Sequence, residues 1–305
     1  ALEITYDLGF AELTSATGYS RYEESGQRDQ TDLLIGLEYS YEAFPAFTAF
    51  TLDVTRQTTI TQEFRLVSTT EGPVSWIVGA FYNRATDKGE SREFTPHYDA
   101  FIGTSRPDSL EYISANDDTL TEMAAYGELS FQINPNWQVT LGGRYYHYEL
   151  VTNLATDTPL YNTSQGAAPN AIDLVFVPGG QDKGGFLYKF NTSYKLNDDM
   201  LVYFTVSQGY RIGNSNGVEL CQNPLPPGQN ICGQPNELEY QPDKTTNFEL
   251  GMHSEWFDRR LRINGDIYYI NWEDPQVLSA TLVGLQPITR NAGKTFGVML
   301  HRDDK

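Results

Sequence analysis

Cys221 and Cys232 are the only two cysteines and stand eleven positions apart in a Pro-rich stretch. With no other sulfur to compete, either a local disulfide forms in an oxidising compartment or two thiols stay free. The disulfide is the preferred reading, because closing the ring stiffens an otherwise loose segment. A metal centre would need further Cys or His at ligand spacing, and none is near. The four histidines, His97, His147, His253 and His301, are scattered, with no H-E-x-x-H and no i, i+4 pair. No G-x-S-x-G elbow, Walker loop or dinucleotide fingerprint occurs. Asp117-Asp118 and Asp198-Asp199 fall in an expected loop and turn, where solvated acids are the ordinary case. Glycosidase chemistry would need carboxyl groups facing each other across a cleft. The expectation is a protein that is not an enzyme and carries no metal and no cofactor.

Charge and composition narrow the partners. Lys plus Arg total 21 against 40 Asp plus Glu, a net charge of −19. Such a chain repels phosphate backbones, so nucleic acid is excluded as a partner. No run of about eighteen uncharged apolar residues exists, so no transmembrane helix is expected. The opening Ala1–Asp7 lacks the basic region and apolar core of a secretory signal, which implies a mature chain or a fragment. Tyr (20) and Phe (16) far outnumber Trp (4), a profile that suits strands better than helices.

The elements that carry these residues are strands. In Ala125–Ile133 the odd positions are small or apolar and the even ones are Tyr126, Glu128, Ser130 and Gln132. The next run sets Trp137, Val139, Leu141 and Tyr145 against Gln138, Thr140, Arg144 and Tyr146. Phe186/Tyr188/Phe190, Val202/Phe204/Val206 and Phe248/Leu250/Met252 alternate with polar neighbours in the same way. One face meets an apolar phase and the other a wet one. Leu13–Tyr22 and Trp76–Arg84 alternate poorly and are placed by position.

Connections alternate short and long. Short ones fall at Phe10–Glu12, Thr69–Val74, Ile133–Asn136, Leu196–Asp199 and Phe257–Arg260, and long ones near 25–57, 88–118, 152–182, 214–244 and 273–292. An all-β, antiparallel, up-and-down transmembrane β-barrel requires this sorting, with clipped turns on one rim and large loops on the other. Trp76, Trp137 and Trp256 lie beside short turns, as an interfacial aromatic girdle would. Eleven strand candidates can be counted, the last over Lys294–His301. The number is odd and the chain stops at Arg302–Lys305 without a terminal aromatic strand, so a partial barrel, truncated at both ends, is expected.

Several segments resemble the barrel of TonB-dependent outer-membrane receptors, in particular the iron-complex receptors. These are Gln62–Ser68 followed by Trp76–Tyr82, Tyr126–Ser130 with Leu141–Tyr145, and Tyr203–Asn216 (YFTVSQGYRIGNSN). Gln241–Gly251 continues through Asp258–Arg262 to Tyr268-Tyr269, and Asn291–Lys294 and Gly297 follow. Each motif is weak alone, but six in family order across almost the whole chain are specific. The sequence departs from the family in showing no plug domain and no energy-coupling box near its start. It also has Val298–His301 where acidic residues are usual. The resemblance implies one domain over 1–305, about half of the twenty-two strands of a plugged transporter.

The resemblance also implies a function: uptake of a ferric siderophore or similar scarce ligand across the outer membrane of a Gram-negative bacterium. The implied partners are outer-membrane lipid, the ligand, and the TonB energy-coupling protein through a plug. Candidate ligand contacts are the loop residues His97, Tyr98 and Phe101, which could stack on or hydrogen-bond a siderophore. Arg144, Tyr146 and Arg211, on the lumen-facing parity near the upper strand ends, are placed where an anionic chelate would pass. The rival readings are a passive porin or adhesin barrel and a soluble secreted β-sandwich. A plug upstream separates the first, and independence from detergent would mark the second.

Overall fold

The computed structural model describes residues 1–36, 41–225 and 232–304, with side chains through Gly297. Strands follow one another as β1 (Leu2–Asp7), β2 (Ala11–Asp29), β3 (Phe50–Ser68), β4 (Val74–Phe94), β5 (Leu110–Asn134), β6 (Trp137–Asp157), β7 (Val177–Asn197) and β8 (Met200–Arg211). Then come β9 (Asn214–Ser215), β10 (Glu239–Tyr240), β11 (Asp243–Trp256), β12 (Leu261–Glu273), β13 (Gln276–Ala280), β14 (Pro287–Asn291) and β15 (Thr295–Asp304). Among the described residues three short α-helices, α1 (Thr31–Gly36), α2 (Tyr98–Phe101) and α3 (Pro159–Ser164), and two single 3-10 turns, Tyr41–Ala43 and Pro235–Glu237, sit in the long connections.

Eleven strands make one antiparallel sheet in the order β1-β2-β3-β4-β5-β6-β7-β8-β11-β12-β15, while β9–β10 and β13–β14 pair apart from it. Each wall strand therefore lies beside its neighbour in sequence, the up-and-down topology. The connections between wall strands run 8–10, 30–49, 69–73, 95–109, 135–136, 158–176, 198–199, 212–242, 257–260 and 274–294. They alternate short and long throughout, so every large loop emerges from the same rim.

Side-chain exposure gives the sheet two unlike faces. Leu141 is 57%, Tyr145 59% and Phe186 57% exposed, all on the outward face, whereas Tyr146 and Tyr148 on the inward face of the same β6 are buried. An apolar face left bare over many strands marks a surface that meets something other than water. On β6 the outward band runs from Trp137 to Tyr145, about 26 Å along a tilted strand at about 3.3 Å per residue, enough to cross the hydrocarbon. Trp137 and Trp256 hold the short-turn end of this band. Their indole N–H groups donate to Thr192 Oγ1 at 2.8 Å and Ser254 Oγ at 3.0 Å.

The strands are longer than alternation alone predicts. β2 to β7 run 19 to 25 residues, so much of the sequence assigned to long loops continues the ladders. The reason is physical: beyond the apolar band both faces of the wall are wet, so the side chains lose their period although the backbone pairing holds. The weakly alternating runs near Leu13 and Trp76 are β2 and β4, in unbroken register with β3 between them.

Candidate ligand-facing wall and loops

On the inward face, tyrosines lie flat against the wall because glycines stand opposite them. Tyr126 faces Gly79, Tyr146 faces Gly185 and Tyr203 faces Gly251 in direct cross-strand register. A Cβ added at any of these glycines would run into the facing ring. Two of the three rings end on acids: Tyr126 donates to Glu63 and Tyr203 to Glu249 Oε1 at 2.7 Å.

Arg144 and Tyr146 belong to a second cluster. Arg144 Nη2 donates to Glu122 Oε1 at 2.9 Å, and its guanidinium lies 5.4 Å from the centre of the Phe81 ring. Tyr210 donates to the same Glu122 oxygen at 3.0 Å and stacks on Tyr146 with ring centres 3.7 Å apart. Tyr210 carries the outward parity of β8, and its inward placement follows from the ladders. β7 and β8 stay paired only as far as Lys189↔Ser207, while β8 remains with β11 up to Arg211. Past that point β8 leans into the interior, where Tyr210 and Ile212 pack against Tyr146, Tyr148 and Leu150. Beside this cluster Glu63, Phe81, Tyr126, Arg144, Leu187 and Lys189 line a hollow of about 430 Å³.

Arg211 stands elsewhere on the inward face. Its guanidinium donates to the buried Asp243 carboxylate at 2.5 Å, lies 5.8 Å from the Trp272 ring centre and remains half exposed. Beyond it, the described parts of the loop 212–242 and the loop 274–294 form one body. Buried Glu237 pairs with Arg290, and the Asn216 amide donates to Glu237 O at 2.8 Å and Thr289 O at 2.9 Å. Cys221 and Cys232 are joined in a disulfide with their Cα atoms 4.9 Å apart, and Cys232 is fully buried.

The loops 30–49, 95–109 and 158–176 share an aromatic core. Tyr98 is buried there with Leu34, Tyr41, Phe47, Ala49 and Leu160, its ring edge-on to Phe47 at 5.5 Å. Phe101 stacks on Phe44 at 4.9 Å and keeps 48% of its surface exposed. His97 is exposed and precedes α2 with φ 66°, making no side-chain cap bond. Arg106, wholly buried, ties two loops together by donating to Ala171 O at 2.8 Å and Thr163 Oγ1 at 3.1 Å. At the base of this core Tyr41 donates to Glu111. Burial raises the Glu111 carboxyl above its ordinary range. It pushes Glu93 up to about 7, with the Glu111 charge adding to the effect.

The six residues singled out in the sequence thus fall into three places: His97, Tyr98 and Phe101 in the loop core, Arg144 and Tyr146 on the wall, and Arg211 near the β8 end. Among the described residues no hydrogen bond, ion pair or ring contact joins one of the six to another in a different place, although Tyr210 and Ile212, which flank Arg211, pack against the wall cluster of Tyr146. Sequence reasoning missed Glu122, Tyr210, Tyr41 and Arg106. Glu122 shares the inward parity of Tyr126 and could have been found. Tyr210 could not, because its parity points the other way. No group of three His, Cys, Asp or Glu side chains is arranged for a metal ion among the described residues.

A single-layer antiparallel wall, bare and apolar outside and polar inside with every large loop on one rim, defines the class of transmembrane β-barrel walls. The family model "TonB dependent receptor-like, beta-barrel" matches residues 1–298, and the chain belongs to that family. The pesticin receptor of Yersinia enterocolitica (serotype O:8 / biotype 1B) is 26% identical over 190 residues, covering 61% of this chain and 24% of that protein. The pesticin receptor of Yersinia pestis shows the same identity and coverage. The chain therefore spans about a quarter of the length of these curated relatives. Among solved structures, the ferric yersiniabactin uptake receptor FyuA of Yersinia pestis superposes with a TM-score of 0.68 at 18% identity, covering 98% of this chain and 38% of that one. The ferric-catecholate import receptor Fiu of Escherichia coli K12 gives 0.61 at 14%, covering 99% and 44%. These likenesses concern the fold.

Proposed function

We propose that the chain forms wall and loops of an outer-membrane receptor that imports a ferric siderophore with energy delivered through TonB. It would reside in the outer membrane of a Gram-negative bacterium, act as a transporter with no catalytic step, and depend on a plug within the whole receptor to reach TonB. The observation that carries the reading is the wall itself: apolar outside, polar inside, with the loops gathered on one rim into two packed bodies. Such loops can capture a ligand on one side of a membrane while the polar face lines its path. Membership of the family and the siderophore-receptor fold neighbours support the choice of ligand class.

On this reading Phe101 and His97, exposed at the loop core, and Arg211, half exposed beneath the second loop body, meet the ligand. Tyr98 and Tyr146 hold the surfaces on which the others stand, and Arg144 faces the path lower down. The disulfide Cys221–Cys232 keeps the second loop body closed. The test is uptake of iron-55 by iron-starved cells whose native copy of the full receptor is deleted and restored, with ferric yersiniabactin and a ferric catecholate as probes. Energised uptake of at least one probe should require both the receptor and TonB. Uptake that persists without TonB would overturn the proposal.

A further inference from the structure

Charge on the upper wall of β2–β4 is sorted by face. The outward positions carry five cations, Arg21, Arg56, Arg84, Lys88 and Arg92, against two carboxylates, Glu23 and Glu90, the latter paired with Arg92 at 2.7 Å, while the inward ones carry Glu24, Asp53, Asp87 and Glu93, with Arg28 paired to Asp53. In a chain of net charge −19, this is where cations gather on the outside. Their height is set by the ladders. Arg84 lies in the row of Tyr19 and Ile60, outward residues that are 64% and 45% exposed at the top of the apolar band. Arg21 stands one outward row higher, opposite Thr58, and Arg56 and Lys88 one row above that.

Two features of the patch call for an anion from outside the chain. Arg56 and Lys88 are directly opposed across the β3–β4 ladder, an arrangement that repels unless an anion sits between the charges. The carboxylates within reach are too few for the cations. Arg21 and Arg56 donate to one and the same Glu23 oxygen, at 2.5 and 2.7 Å. Lys88 takes Asp117 at 2.7 Å. Arg84 is exposed and has no ion pair among the described residues. Three of these cations thus share two carboxylates and Arg84 has none among the described residues, which leaves donors on the outer face to spare, of the kind that bond phosphate oxygens.

We propose that the outer face of β2–β4 binds the phosphate groups of a phosphorylated glycolipid in the outer leaflet, its acyl chains lying on the apolar band beneath Arg84. The occupant is a lipid because the cations begin where the apolar surface ends, so headgroup and chains are met together. The inference rests on the membrane setting proposed above.

The test uses the complete receptor purified in detergent and reconstituted in phosphatidylethanolamine vesicles containing bisphosphorylated lipid A. Native mass spectrometry then counts the lipid A molecules retained. Wild type should retain bisphosphorylated lipid A at least tenfold more than its dephosphorylated form. The variant Arg21→Ala/Arg84→Ala/Lys88→Ala should lose that preference. Glu23→Gln, which frees two guanidinium groups, should increase it. Heat-modifiable gel mobility identifies folded variants, and Lys189→Ala, a change on the inward face, should retain as much lipid A as wild type. Equal retention by wild type and the folded triple variant overturns the proposal. Saturation by millimolar inorganic phosphate with no preference for the lipid does the same, by showing a free-anion site. A receptor that stays dispersed without detergent overturns the membrane setting itself, a failure distinct from the other two.

Discussion

Gly79 and Tyr126 face each other across the β4–β5 ladder, and the tyrosine ring lies over the space that a side chain at position 79 would fill. The pair explains how a wall rich in large aromatics keeps a smooth inner surface: the glycine makes room for a ring to lie down, and Glu63 on β3 receives its hydroxyl. The same contact of glycine and ring recurs at Gly185–Tyr146 and Gly251–Tyr203.

Gly79→Ala should therefore destabilise the folded receptor by about 1–3 kcal/mol, the usual cost of forcing extra volume into a packed contact. The readout is the guanidinium midpoint of the detergent-solubilised receptor. In the double variant Gly79→Ala/Tyr126→Ala the methyl group has no ring to displace, so the combined loss should fall short of the sum of the singles. Strict additivity would show that the ring and the glycine are not coupled.

Arg106 supports a second prediction. It is wholly buried and its donors satisfy carbonyls in the loop 158–176, so removing it strands those acceptors and the nearby Asp108. Arg106→Ala should cost about 3–5 kcal/mol of local stability and release both loops, seen as faster cleavage in 95–109 and 158–176 by a dilute protease. Arg106→Lys supplies one ammonium where a fork of donors is used and should rescue only part of the protection. Unchanged cleavage in Arg106→Ala would mean that the aromatic core alone holds the loops.

Much of this architecture is legible in the sequence, and what is not legible has identifiable causes. Alternation reports where one face is oily, so Ala125–Ile133 and Trp137–Tyr145 read correctly as wall. It falls silent where both faces are wet, and there the true strand ends, such as Asp29 and Leu110, lie several residues inside the expected loops. Arg144 and Arg211 share the inward parity, as read, but parity carries no information about distance around a sheet. Each is matched to a different acid, Glu122 and Asp243. Tyr210 defeats the rule altogether, because β8 leaves β7 above Ser207 and its outward residues turn inside. Tyr98, read as a ligand contact, sits within a core whose other members, Tyr41 and Phe47, come from a different loop. No local pattern announces such a partnership.

Docking of the loop core should depend on pH through Glu93 and Glu111. Burial pushes the Glu93 carboxyl from its ordinary 4.5 up to about 7, with Glu111, itself raised, close enough to add to the shift. A carboxyl raised on folding favours the docked state while it stays protonated. That contribution is fully present below about 4.5 and is lost as pH rises through about 7. Tyr41, Tyr98 and Tyr112 are also raised by burial, so they add no charge across this window. Protease cleavage within 41–49 should therefore accelerate severalfold between pH 5 and pH 8 (a window of about 3 units around the shifted value). Glu93→Gln should flatten the profile. An identical slope in that variant would place the pH dependence elsewhere.

The orientation of the wall makes the sharpest prediction, because neighbouring residues on one strand should respond in opposite ways. Leu141 points outward and is 57% exposed; Gln138, three positions earlier on β6, points inward, where its neighbours are polar. Arginine at position 141 would have to sit in hydrocarbon, at a cost of about 2–4 kcal/mol near the bilayer midplane, whereas arginine at position 138 enters a wet interior. Leu141→Arg should reduce folded receptor in vesicles, measured by heat-modifiable mobility, and Gln138→Arg should leave it near wild type. The contrast should vanish in a short-chain detergent that lets water reach the outer face. If instead Gln138→Arg is the damaging change, the polar face is the packed one and the wall is not a membrane barrel.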